Sequence, residues 1–171
     1  MPDRCPEDAE GHADIVRLIP ALRAFARTFH GERADADDLV QETLVKALAN
    51  IDKFEAGTQL KSWLFTIMRN TFCSRAKRAS REIPGLEDYM DNMVLPPGQE
   101  WSLRGRELGR AFRQLPDQSR EIIMLVVVLG ESYETAAEIC DCAVGTVKSR
   151  LNRARHQLLA ELGEEEECGA A

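Results

Sequence analysis

"ESYETAAEICDCAVGTVKSRLNRARHQLL", residues 131–159, decides how the whole chain is read. Two stretches of helical spacing flank the turn-like "CDCAVG", the layout of a helix-turn-helix. Ser132 is a good N-cap for the first helix, although Thr135, three residues on, leaves out the acidic half of a capping box. Ala136 and Ala137 are small enough to let two helices cross closely. On the second helix, at about 100° per residue, Val147, Leu151, Ala154 and Leu158 form one narrow apolar stripe. Ser149, Asn152, Arg153 and His156 lie opposite, with Lys148 at their edge and Arg150 and Arg155 flanking the stripe. A second helix with a bare polar face is what enters a DNA major groove, led by its N-terminal residues. Thr146, Lys148, Ser149, Asn152 and Arg153 are therefore candidate readers of base edges. Arg150, Arg155 and His156 suit phosphates or intramolecular pairs. The plain alternative is a helical hairpin whose basic face is only solvated.

The charge on that helix is out of keeping with the rest of the chain. Four Lys and Arg and no acid fall within 143–158, yet the protein carries a formal net charge of −7. A second basic stretch, 61–82, sets Lys61, Arg69, Arg75, Lys77, Arg78 and Arg81 against Glu82 alone. Acids collect at the N-terminus, between the two basic stretches and in the tail "EEEECGAA". Charge is screened over about 8 Å at physiological salt, so the patches act locally and the net charge does not exclude nucleic acid. It does imply weak DNA binding by the chain alone.

The 171 residues, 44% hydrophobic, suffice for one domain or two small ones. Apolar spacing is helical nearly everywhere, which predicts an all-α fold of two small helical domains joined by a flexible linker. Helices are expected over roughly 13–30, 36–51 and 59–79, then 101–114, 118–129, 133–140 and 144–161. Between them "IPGLEDYMDNMVLPPGQ", 83–99, is rich in Pro, Gly and acids and reads as the linker. The division is 13–82, linker 83–100, and 101–163. Whether the two blocks pack together is left open by the sequence. "IIMLVVVL", 122–129, is too short for the ~18 residues of a membrane span and reads as a buried core helix. The N-terminus is acidic where a signal peptide would be basic and then apolar, which predicts a cytoplasmic protein without membrane contact.

Catalysis and metal binding find little footing. Five cysteines form an odd count without disulfide spacing. Cys140 and Cys142 make a C-x-C pair, but zinc needs about four N or S ligands and no histidine lies nearby in sequence. Buried or idle thiols are the plain reading. No nucleophile–base pair, Gly-rich phosphate loop or metal cluster is evident, so the chain is expected to be no enzyme and to use no cofactor.

"SYETAAEICDCAVGTVKSRLNRAR" resembles region 4 of bacterial sigma factors of the extracytoplasmic-function class. "LPDQSREIIMLVVVLGESY" matches that region's opening helices. "DADDLVQETLVKALANIDKF", 35–54, resembles region 2.2, and "GTQLKSWLFTIMRNTFCSRAKRASRE", 57–82, resembles regions 2.3 and 2.4. The two sets occur in the family's order with a linker between, and the chain has no room for the middle domain of larger sigma factors. The resemblance is strongest to the EcfG-like general-stress subgroup, with Thr135 (for a commoner acid) and Asp141 in the turn as departures.

The resemblance implies roles for particular residues. Thr146, Lys148, Ser149, Arg150, Asn152, Arg153 and His156 would read a −35 element of "GGAAC" type. Arg69, Lys77 and Arg78 would hold the −10 backbone, while Asn70 and the loop around Ala79 to Glu82, with Ser80 and Arg81, would catch an unstacked base. Asp35, Asp37, Asp38, Gln41, Glu42 and Val45 would dock on core RNA polymerase. Read from the residues alone, acids at 37, 38 and 42 need do no more than suit the helix dipole. On the 57–82 helix Leu60, Trp63, Leu64, Ile67 and Met68 form the expected buried side, opposite Ser62, Thr66, Arg69, Asn70, Cys73 and Lys77. The function implied is a promoter-specificity subunit of RNA polymerase, for stress-response genes, held inactive by a small anti-sigma factor. Two alternatives are a sigma-like decoy that binds an anti-sigma factor without touching DNA, and a stand-alone helix-turn-helix regulator.

Overall fold

The computed structural model describes residues 6–54, 59–82 and 103–163; side chains are described from Asp14 onward, except at 79–82, 103, 104 and 106. The described residues are helical, with no strand among them. The first three helices are α1 (Pro6–Ala26), α2 (Arg33–Ala49) and α3 (Leu60–Glu82), with a single 3₁₀ turn at Ile51–Lys53. Each buries a helically spaced row: Ile15, Leu22, Phe25 and Ala26 on α1, Ala36, Leu39, Val40 and Ala47 on α2, Leu64, Phe65 and Met68 on α3. Their core is aromatic, with Phe25 against Phe29 and Phe65 at centroid distances of 4.9 Å and Phe29 stacked on Phe72 at 4.5 Å.

The second group comprises α4 (Leu103–Gln114), α5 (Asp117–Ile123), a π-helical segment (Met124–Val128), α6 (Tyr133–Ile139) and α7 (Val144–Leu162). Its first corner is set by Arg120, buried to 3% exposure. The guanidinium donates to the carbonyls of Arg113 (2.9 Å) and Leu115 (3.1 Å), which end α4, and pairs with Asp117. A buried charge is tolerated only when satisfied in this way.

Two expectations need correction here. The run 122–129 is not a uniformly buried α-helix: Ile122, Ile123 and Leu125 are buried, but Val127 and Val128 stand 55% and 60% exposed. The Leu129 amide donates to the Met124 carbonyl, five residues back, and the wider π turn shifts the following side chains off the inward face. The stretch 79–82 is likewise no loop, because α3 continues through Glu82. No glycine or proline interrupts it until Pro84.

In the helix-turn-helix, Ser132 caps α6 by accepting from the Thr135 amide at 3.0 Å, and its hydroxyl donates to the Thr135 hydroxyl at the same distance. Thr135 thus bonds the capping hydroxyl, not the Ser132 backbone N–H that an acid takes in a capping box. Ala136 and Ala137 are buried beneath α7. The turn is closed by the Cys142 amide donating to the Ala137 carbonyl, and Asp141 adopts φ 48°. Aspartate tolerates this left-handed geometry better than most residues. Asp141→Val, which places a branched side chain there, is expected to destabilise by about 1–2 kcal/mol, read as a lower melting temperature. Asp141→Gly is expected to melt no lower than the native chain.

The two groups pack on each other. α3 lies against α6, α1 meets the π segment, and the buried residues of both groups form one contiguous cluster. The expected linker, 83–100, lies outside the described residues.

Candidate nucleic-acid interface

The α7 stripe predicted to face inward does so: Val147, Leu151 and Ala154 are buried and Leu158 half-buried. Burying that stripe fixes the opposite face outward. Lys148, Ser149, Asn152, Arg153 and His156 are exposed there, with Thr146 half-buried at the helix start. Ser149 donates to the Thr146 carbonyl (3.0 Å), and Arg153 Nε donates to the Ser149 carbonyl (3.3 Å). The Lys148 ammonium sits 5.7 Å from the Tyr133 ring centroid, a cation–π approach that links the two helices of the motif. Arg150 is set apart from these: it is half-buried, and its charge acts on Glu121 and Cys140 behind α7.

On α3, Asn70, Lys77 and Arg78 are exposed along one side. Ser80 and Arg81 fall on the last turn, where side chains lie outside the described residues. Arg69 is held apart from this group. Its Nε donates to Glu121 of α5 at 2.7 Å, with the two side chains 20% and 8% exposed. Burial pushes the Glu121 carboxyl above the ordinary range, and the Arg69 guanidinium only partly offsets this. The expected buried side of α3 holds with Leu64 and Met68 buried and Leu60, Trp63 and Ile67 half-buried. Trp63 packs on Phe54 at a centroid distance of 5.4 Å. Phe65, fully buried, was absent from that side.

On α2 the acids divide. Asp37 is occupied by Arg23 (3.1 Å) and lies 3.9 Å from Arg33. Glu42 is bound by Lys46 (2.7 Å) and by Arg75 Nε (2.6 Å), and these hydrogen bonds, Lys46 foremost, lower its pKa. Asp35, Asp38, Gln41 and Val45 are exposed. Asp38, Gln41 and Val45 follow helical spacing and continue to Leu48, which is 42% exposed beside Val45 at 67%. Leu48 belongs to this stripe and was missed; extending the 38–41–45 spacing by three residues finds it.

The described cysteines, Cys73, Cys140 and Cys142, are free thiols. The Cys140 thiol is pushed up to about 12, first by burial and then by the charge of Glu121, so it stays protonated at neutral pH. Among the described residues no group of three or more His, Cys, Asp or Glu could hold a metal ion. No described helix is long and apolar enough to cross a membrane.

Comparison with known proteins matches residues 15–82 to Sigma-70 region 2 and 105–158 to Sigma-70 region 4. The ECF RNA polymerase sigma factor EcfG of Rhodopseudomonas palustris is 49% identical over 150 residues, which span 87% of this chain and 83% of that protein. Among solved structures, the sigma factor RpoE of Bartonella quintana in complex with the anti-sigma factor NepR superposes with a TM-score of 0.81. It is 41% identical, covering 91% of this chain and 98% of that one. CnrH in complex with the cytosolic domain of CnrY gives a TM-score of 0.64 at 29% identity, covering 91% and 89%.

Proposed function

This chain belongs to the sigma-70 family, in its extracytoplasmic-function class, and from that premise we propose that it binds core RNA polymerase in the cytoplasm and directs it to stress-response promoters. The unit 13–82 docks on core and engages the −10 element, and 101–163 reads the −35 element across the 83–100 linker. The observation that carries this reading is the α7 geometry, in which one buried stripe presents Lys148, Ser149, Asn152 and Arg153 together to solvent. Four hydrogen-bonding side chains on an exposed helix within a helix-turn-helix match the donor and acceptor pattern of a major groove. Lys77 and Arg78 supply backbone charge and Asn70 an amide for an unstacked base. The chain performs no catalysis; its contribution is to bind and position.

Core docking is assigned to the exposed α2 stripe of Asp38, Gln41, Val45 and Leu48. Large apolar side chains exposed between polar ones mark a protein contact more than a solvated face. Asp37 and Glu42, tied to arginines and Lys46, shape α2 and its packing on α3. An anti-sigma protein holds the chain inactive, a reading supported by the two similar structures solved with such partners.

The test of the docking assignment is co-elution of the chain with purified core enzyme. Val45→Glu with Leu48→Glu is expected to weaken association at least tenfold, since each places a charge in an apolar contact. The melting temperature should hardly move, both residues being exposed. Undiminished association would place the docking surface elsewhere.

A further inference from the structure

Two cations on α3 are held by acids of the second domain. Besides Arg69 on Glu121, the Lys61 ammonium lies 2.6 Å from Glu131 Oε1 and donates to the Leu129 carbonyl at 2.6 Å. Lys61 and Arg69 stand eight residues apart, so both face the same way with Phe65 between them. Glu121 and Glu131 are buried, at 6% and 8% exposure, while the α3 faces bearing Asn70, Lys77 and Arg78 stay open. The domain contact therefore covers Arg69 and leaves Lys77 and Arg78 exposed.

We propose that Glu121 and Glu131 form an intramolecular clamp on α3 in which the Glu121 carboxylate stands in for promoter phosphate on Arg69, so that the closed chain holds part of its own −10 surface shut. The inference rests on the −10 role given to Arg69. A guanidinium meets carboxylate and phosphate through the same charge-assisted N–H bonds, so one can replace the other without a new kind of contact.

The clamp is built to be released. The desolvation of a buried ion pair offsets much of its Coulombic attraction, so such pairs close a structure weakly, while an abandoned partner is costly. Here neither partner is abandoned on opening. Arg69 passes to a phosphate, and Glu121, which Arg69 covers in the closed chain, returns to water. Lys61 and Glu131, a third or less exposed in the closed chain, return to water. Separation of the domains and exposure of Arg69 are thus one event.

The test uses the full chain without polymerase. Glu121→Gln with Glu131→Gln removes both charges at nearly constant shape. Two quantities are read: the radius of gyration by small-angle scattering, and binding of a fluorescent single-stranded oligonucleotide carrying a −10 sequence. The double variant is expected to expand and to bind the oligonucleotide roughly tenfold more tightly, within the usual range for coupled equilibria. Adding Arg69→Ala should abolish that gain. Unchanged dimensions would overturn the clamp. Expansion without tighter binding would overturn the phosphate mimicry; the −10 role of Arg69 still stands if Arg69→Ala impairs promoter opening by the holoenzyme. If Arg69→Ala changes neither free-chain binding nor opening, the −10 role itself fails. Glu121→Gln alone serves if the double variant loses helix content, and no gain in binding from it would also overturn the proposal.

Discussion

Phe65→Ala is expected to lower the free energy of unfolding by about 3–5 kcal/mol, the usual cost of emptying an aromatic site in a core. Phe65 is fully buried, packs on Phe25 at 4.9 Å, and sits one helical turn from both Lys61 and Arg69. Removing the ring opens a cavity where the first domain's aromatic core meets the domain contact. Denaturant unfolding followed by circular dichroism measures the loss. Phe65→Leu, which restores most of the volume, should recover a large part of it. A loss below about 1 kcal/mol would mean that the site collapses freely, contrary to the tight packing described.

Arg153→Ala is expected to weaken −35 recognition by about 1–3 kcal/mol, or roughly 5- to 150-fold, if the guanidinium makes one good bidentate base contact. Arg153 is exposed and its only described bond, Nε to the Ser149 carbonyl, spans 3.3 Å, so the outer fork of the side chain is available to DNA. Binding of holoenzyme to labelled −35 duplexes measures the effect, with base substitutions showing which position loses discrimination. Core association should be unchanged, because Arg153 and the α2 stripe lie in different domains. Lys148→Ala offers the contrast. If Lys148 meets phosphate, its loss should weaken all sequences alike and reduce the salt slope by about one.

Much of this was legible in the sequence, for a physical reason: amphipathic helices announce their inward faces by spacing. The α7 stripe of Val147, Leu151, Ala154 and Leu158 could be placed because its polar opposite side contains no large apolar residue. The motif was equally readable from the short "CDCAVG" turn and from Ala136 and Ala137, free of bulk, whereas Asp141 counted only as a departure and its left-handed backbone went unforeseen. Helices stand where they were expected, while their ends slipped: α1 runs Pro6–Ala26 where 13–30 was expected, and α3 continues through 79–82, where Arg, Ala and Ser carry no stop signal.

What escaped depends on contacts remote in sequence. Arg69 and Glu121 are 52 residues apart, and Lys61 and Leu129 are 68 apart. No local pattern pairs them, so the domain contact and its cover over Arg69 were hidden. Phe65 was missed for the same reason: it lies between two cations on its own helix, where spacing alone reads as a wet face. The π segment escaped because "IIMLVVVL" is apolar at every position and offers no polar marks to reveal a change of phase. At the α2 surface the acids looked alike in sequence, and only the positions of Arg23, Lys46 and Arg75 separate the paired Asp37 and Glu42 from the exposed Asp38.

The central claim is that this chain gives core RNA polymerase its promoter choice, and run-off transcription tests it most directly. Purified core enzyme, the full chain and a template with a −35 element of the "GGAAC" type would be combined, with core alone as the control. The account predicts a specific transcript that appears only with the chain and falls sharply with Arg153→Ala. A folded chain that neither associates with core nor yields a transcript from this or any selected promoter would contradict it, and would favour a sigma-like decoy for an anti-sigma protein.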